Sequence, residues 1–304
     1  MPLDNPTLDS MLRSIVTKGE PTESQFSSAS RSHNYLRDVL SSGQFGYRLV
    51  DDYLSGSYAR GTAIYPLDDV DIVFEFDPKA YASLFRPDVD QVLQSFARAI
   101  RHRYKESRVE VQNRSVGLKL YHLDIDVVPA IATLEAGYVL VPDRRDGTWI
   151  RSAPKLHTAW GRELNKRTNG QFKPLVKLLK IWNRQGPQNA QVRSFLIETI
   201  AMRMFLNMPL NSVFEGAYLF FDMLSSFAWE SKLSWNTTFG VQLGFWLGNS
   251  VPDIAETGIN VAEGMEEALR ERFIRRAVRS RDGLLAARNA RYIETGAQHI
   301  AEAI

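Results

Sequence analysis

Two segments of the chain place aspartates at alternate positions: Asp69-Val70-Asp71 within DDVDIVFEFD and Asp124-Ile125-Asp126 within LDIDVVPA. Alternate residues of a strand share a face. Each pair therefore projects to one side, while Val70, Ile72, Phe74 and Phe76, or Leu123, Ile125 and Val127, line the other. Carboxylates so close repel, and a divalent cation removes the repulsion; oxygen ligands suit a hard ion such as Mg²⁺. A lone Asp-x-Asp is ordinarily the wet face of an edge strand. Two copies, one preceded by Gly56-Ser57 and the other followed by Pro129, favour a metal site. In SGSYARGT, Gly56 permits a backbone conformation that other residues avoid, and Ser57 supplies a hydroxyl. Backbone amides of Ser57 and Tyr58 at a helix start would face an anion. Metal-binding carboxylates beside a phosphate-facing turn imply chemistry on a phosphate ester.

These residues must be held by a folded frame. At 304 residues the chain is long enough for two cores, and its net charge of +2 is too near balance to name a partner. Without cysteine there are no disulfides, thiolate zinc sites or cysteine nucleophiles, which fits a reducing cytoplasm. The N-terminal segment lacks the apolar block of a signal peptide, and Leu233 to Pro252, read as a helix and loops, is too polar to span a membrane. The five histidines show no ligand spacing.

A long helix is expected from about Thr22, with Gly43 as its stop. Alternating segments follow as strands: YRLVDDYL, DVDIVFEF, RVEVQNR, VGLKLYH and LDIDVVPA, with a helix near Val89 to Tyr104 between the second and third. Beyond VPDRRDGTW the strand signal fades, and helical periodicity runs from about His157 to the end. The expected architecture is α+β and bilobal. A mixed-sheet lobe with its N-terminal spine helix spans residues 1–152, a helical lobe spans 153–304, and a cleft is expected between them.

Gly56-Ser57, Thr62, Asp69-Val70-Asp71 and Asp126-Val127-Val128-Pro129-Ala130 together resemble the DNA polymerase β-like nucleotidyltransferase superfamily. Within it the pattern is most similar to cyclic GMP-AMP synthase and the bacterial cyclic-oligonucleotide synthases of antiphage signalling. The resemblance implies that Asp69 and Asp71 hold two Mg²⁺ ions, with Mn²⁺ able to substitute. It implies that Asp126 is a third ligand near the attacking hydroxyl, and that Gly56, Ser57 and Thr62 meet the nucleotide. Asp124 falls outside the pattern and is read as a residue backing the ligands.

In FKPLVKLLKIWNRQ, Leu175, Leu178, Leu179 and Trp182 form an apolar stripe, while Lys173, Lys177, Lys180 and Arg184 read as a basic stripe opposite. SFLIETIAMRMF then sets Ser194 and Glu198 one turn apart. This arrangement is similar to the helical lobe of the same family, and implies that Lys180 and Ser194 hold the triphosphate; Glu198 is read as structural, pairing an arginine. Between Ala268 and Arg291 stand eight arginines against Glu271 and Asp282. They read either as a solvated helix face or as a docking surface for an acidic regulatory protein or nucleic acid.

The activity implied is a template-independent nucleotidyltransferase that makes a cyclic di- or trinucleotide from nucleoside triphosphates. A linear oligoadenylate, RNA-end or small-molecule nucleotidyltransferase and a catalytically silent binding module are the alternatives.

Overall fold

Thr22 and Gln25 begin the first element of the sheet-bearing unit. The Thr22 hydroxyl accepts from the Gln25 amide at 3.2 Å, and the Gln25 side chain accepts from the Thr22 amide at 3.1 Å. This reciprocal cap starts a helix of residues Glu23–Ser41. It is the second helix, α2, because α1 (Asn5–Lys18) precedes it. The computed structural model describes residues 2–42, 48–77, 87–206, 208–226 and 250–304. The helix stop expected at Gly43, and most of the stretch read as a helix and loops from Leu233, lie outside them.

After α2 come β1 (Leu49–Ser55), a single helical turn α3 (Gly56–Arg60), β2 (Asp69–Phe76), α4 (Val89–Arg103), β3 (Arg108–Val111), β4 (Val116–Lys119) and β5 (Asp124–Ala132). Two further strands, β6 (Val139–Asp143) and β7 (Thr148–Ser152), complete a seven-stranded sheet of order β1-β2-β5-β4-β3, with β6 joining β5 to β7. β2 and β5 are parallel and every other pair is antiparallel. The apolar sides of β2 and β5 carry Val70, Ile72, Phe74, Phe76, Ile125 and Val127, all 0% exposed, packed with Leu36 and Leu40 of α2 and with Val92, Leu93 and Phe96 of α4. Each such side chain contributes about 1.5–3 kcal/mol of burial. The opposite side is clad only in part, by Val73, Ala130, Val139 and Val141, which leaves its polar end for the aspartates.

The β6–β7 hairpin is an addition to the expected strands. Its turn contains the Arg-Arg-Asp-Gly run that hid it, and Gly147 adopts a φ of +61° there. The unit boundaries also differ from expectation. One unit is Pro21–Ala159; the other joins Met1–Glu20 to Trp160–Ile304. The first twenty residues thus belong with the helices and not with the sheet. The reason is the stripe Leu8, Leu12 and Val16 on α1, which is buried in one core with Phe172, Leu175 and Leu179.

That helical unit contains α6 (Phe172–Gln185), α7 (Ser194–Phe205), α8 (Val213–Ser226), α9 (Glu267–Asn289) and α10 (Ile293–Ala303), while α5 (Pro154–Arg167) runs through the boundary. No helix among the described residues is long and apolar enough to cross a membrane.

The basic stripe on α6 is corrected here. Lys177 pairs with Glu20 at 2.6 Å, Arg184 is exposed, and Lys180 is only 4% exposed. The buried surface of α6 is wider than its leucine stripe and takes in Lys180, Ile181 and Asn183. The Lys180 ammonium meets the fully buried Glu198 carboxylate at 2.9 Å, so Glu198 has a lysine for a partner. Lys180→Met, which takes this ammonium away from the buried Glu198 carboxylate, should cost about 3–5 kcal/mol in urea denaturation. The double variant Lys180→Met/Glu198→Gln should recover most of that loss. An unaltered denaturation midpoint in the single variant would show that the pair is not structural.

Candidate active site

The parallel register of β2 with β5 sets Asp71 beside Asp126 and Asp69 beside Asp124. Across the other edge of β2, Ser55 pairs with Asp71, and the chain then enters the α3 turn. Gly56 has a φ of +65°, and a Cβ there would stand 1.8 Å from Asp71 Oδ2. Only glycine lets the turn pass over that carboxylate. The Thr62 amide donates to the Ser57 carbonyl at 3.0 Å and the Gly61 amide to the Tyr58 carbonyl at 3.2 Å, closing the turn. The Tyr58 ring lies 5.9 Å from Phe26 and 5.6 Å from His33, which fastens the turn to α2.

Gly56, Ser57, Asp69, Asp71 and Asp126 therefore converge at one end of the sheet. Thr62 does not join them at the surface. It is 1% exposed, beneath the turn, so the expectation that it touches nucleotide gives way to a place in the turn's base. Lys180, inside the helical unit, is spent on Glu198. Ser194 is exposed at the first position of α7.

Burial pushes the Asp71 carboxyl up to about 7, helped by the charges of Asp69 and Asp126 and opposed by Arg60. Asp126 is raised as well, by burial and then by Asp69, against the pull of Lys119 and a hydrogen bond from Gln112. Asp124 is answered directly by Lys119 in an ion pair. Among the described residues no three acidic or imidazole groups are gathered tightly enough to hold a metal ion as they stand. The donor chemistry nonetheless fits one: all three are carboxylates, two are raised by burial among like charges, and a hard dication offsets both penalties.

Gln112 escaped the sequence reading. Its side-chain amide donates to Asp126 Oδ1 at 3.0 Å, and its Oε1 accepts from the buried Ser115 hydroxyl at 2.8 Å, which fixes the amide's orientation. Both lie on the β3–β4 connection, where the Gln112 backbone N–H donates to the Ser115 carbonyl at 2.9 Å. Gly117, opposite Asp126 on β4, leaves the space; a Cβ there would come within 2.5 Å of Gln112 Nε2. Asn113 and Arg114 tie the same connection to Asp143 of β6 at 3.1 and 3.2 Å. The readable signal was a glycine in a strand facing a candidate ligand, together with a glutamine five residues earlier.

Residues 7–165 match the Second Messenger Oligonucleotide or Dinucleotide Synthetase domain family, abbreviated SMODS. A cyclic AMP-AMP-AMP synthase of an Acinetobacter species is 33% identical over 202 residues, covering 62% of this chain and 56% of that protein. An Escherichia coli protein of the same name is 26% identical over 211 residues, covering 65% and 63%. The match thus spans less than two thirds of either relative. Among solved structures, E. coli CdnC in its complex with HORMA-deltaN superposes with a TM-score of 0.75 at 20% identity, over 99% of this chain and 96% of that one. Bradyrhizobium diazoefficiens CdnG in complex with GTP does so with a TM-score of 0.71 at 14% identity, over 100% and 99%. At these identities the likeness is one of fold.

Two outcomes follow from the site's electrostatics. Asp71 has a folded-state pKa above its unfolded value of 3.8, so the folded state holds the proton longer. Its contribution to stability is therefore present at low pH and is lost as the pH rises through about 7. In EDTA at pH 8, Asp71→Asn should melt higher than the wild type, with the gap closing toward pH 4; a gap independent of pH would contradict the buried-charge account. Removing the Gln112 side chain frees Asp126 and also takes the acceptor from the buried Ser115 hydroxyl. Gln112→Ala should therefore lose about 1–3 kcal/mol of stability yet remain folded, while weakening Mn²⁺ binding about tenfold, a typical cost for losing a ligand-orienting partner. Gln112→Glu, which sets a charge against Asp126, should fold yet bind Mn²⁺ no better than Gln112→Ala. Unchanged Mn²⁺ affinity in both would reduce Gln112 to a space-filling role.

Proposed function

The chain belongs to the SMODS family, and from that premise we propose that it is a template-independent nucleotidyltransferase joining nucleoside triphosphates into a cyclic di- or trinucleotide. The observation that carries this reading is the register pairing Asp71 with Asp126 beneath a turn that only Gly56 can make. Two relatives are named cyclic AMP-AMP-AMP synthases, so ATP is the first substrate to try. E. coli CdnC is solved with HORMA-deltaN, and a regulatory protein partner belongs to the same reading. So do a place in antiphage defence and a cytoplasmic location.

The 2′ or 3′ oxygen of one nucleotide forms a bond to the α-phosphorus of another as the bond to pyrophosphate breaks and the hydroxyl proton is lost. Each linkage repeats this step, and the last one closes the ring. Ser57 directs its hydroxyl at the donor phosphates, and the α3 backbone lets them approach. Asp126, steadied by Gln112, lies on the side of the attacking hydroxyl. Ser194, at a helix start, is the helical unit's candidate phosphate contact. Asp69 and Asp71 would hold two Mg²⁺ ions, with Asp126 completing one set and Mn²⁺ able to substitute. When bound, the metals lower the pKa of the attacking hydroxyl and neutralise the departing pyrophosphate.

Incubation with all four triphosphates and Mg²⁺ or Mn²⁺, read by mass spectrometry after phosphatase treatment, tests the proposal. A phosphatase-resistant cyclic product should form, and Asp69→Asn and Asp71→Asn should abolish it while remaining folded. A product destroyed by phosphatase would mark a linear polymerase. No product from the wild type under any of these conditions would favour a silent binding module.

A further inference from the structure

The eight arginines between Ala268 and Arg291 are not equivalent. Arg270 meets Glu267 at 3.2 Å, Arg281 meets Asp282 at 2.8 Å, and Arg288 lies over the Tyr218 ring at 5.4 Å. Four others, Arg272, Arg275, Arg276 and Arg279, recur at i, i+3, i+4 and i+7 of α9 and so share one face. That face lines a cavity of about 450 Å³, walled on its other sides by residues 185–187, 189–190 and 301–304.

Two of these cations are fixed there by neutral groups. Arg272 donates from Nε to the Asn189 carbonyl at 2.6 Å. Arg276 donates to the carbonyls of Trp182 and, at 3.2 Å, Asn183, and its guanidinium lies 4.3 Å from the Trp182 ring. Gly186 makes this possible, since a Cβ there would fall 2.0 Å from Arg276 Nη1. Carbonyls and a ring fix the two guanidinium groups but bring no full negative charge. Burial pulls Arg276 down to about 10, and no carboxylate among the described residues pairs with it. Arg275 meets Glu271 at 3.4 Å, but both side chains are more than half exposed, so the pair screens little. Arg279 is exposed and makes no hydrogen bond or ion pair among the described residues. Glu302 is the one acidic side chain in the lining, and it also faces His299 at 3.8 Å and Gln298 at 3.1 Å.

We propose that this cavity binds a small ligand carrying two or more phosphates. Guanidinium groups recognise phosphate oxygens through paired, charge-assisted hydrogen bonds. Seven residues of helix spread the four side chains over about 10 Å, the reach of a phosphate chain and not of a single ion. The volume lies within the usual range of small-molecule sites, about 300–1,000 Å³. A concave pocket with anchored arginines suits such a ligand better than a nucleic acid, which is met by an open basic stripe. The site does not depend on the catalytic reading.

Calorimetric titration of the full chain with inorganic tripolyphosphate and with ATP, in EDTA, tests it. Binding should persist in Asp71→Asn, which separates it from the catalytic site, and should weaken as salt is added. Arg272→Ala/Arg279→Ala, which spares the Arg276 contacts with Trp182 and Asn183, should weaken it at least about tenfold while the melting curve stays unchanged. ATP tighter than tripolyphosphate would identify a nucleotide as the natural occupant; equal affinity would identify the phosphate chain alone. The proposal is overturned by no binding at millimolar ligand, by binding indifferent to the double variant, or by a single-stranded RNA that engages these arginines and is not displaced by tripolyphosphate.

Discussion

Like charges forced together in a partly buried place are the constraint on which the sheet unit is organised. Asp71 is raised to about 7 by burial and by Asp69 and Asp126, a cost that folding must meet elsewhere. The apolar faces of β2 and β5, sealed by α2 and α4, supply the stability that keeps the aspartates in register. Gly56 then lays backbone over Asp71, and Gln112 steadies Asp126 from the other flank. The register gathers like charges at one end of the sheet, a repulsion that a hard cation would offset.

The treatment of charge elsewhere makes that arrangement stand out. Glu198 is buried with Lys180, Asp124 meets Lys119, and Asp143 is held by Asn113 and Arg114. A charge that serves only structure is thus given a counter-charge or a fixed donor. Asp71 and Asp126 retain raised pKa values in spite of Arg60 and Lys119, so the repulsion is not cancelled internally. The arginine face of α9 is its mirror image in the helical unit: guanidinium groups anchored on carbonyls and an indole, with the positive charge left over. One unit holds surplus negative charge where metal chemistry is proposed, the other surplus positive charge beside a cavity.

Much of the frame was legible in the chain because it rests on local periodicity. Alternation in DVDIVFEF and LDIDVVPA identified two central strands and the faces their aspartates take. Thr22 marked the start of α2, and the stripe Leu175, Leu178, Leu179 and Trp182 marked α6. The strands β6 and β7 were missed because the charged run of their turn reads as a loop. Residues 1–20 were assigned to the sheet by proximity in sequence, whereas α1 joins the unit whose core complements its leucines.

Sequence by itself determined which residues could do chemistry, for residue type and alternate spacing already put Asp69 and Asp71 on one side of a strand and Gly56-Ser57 before them. Only the tertiary structure decided which of those charges remain available. Whether a lysine such as Lys180 faces solvent or a buried glutamate depends on how α6 packs against α7, a contact between segments that no spacing within either one records. The same holds for Gln112, whose amide reaches Asp126 through the pairing of β4 with β5 and the missing side chain of Gly117. Local pattern fixes the direction of a side chain along its own element; its partners are set by long-range packing, and with them its charge, its burial and its use.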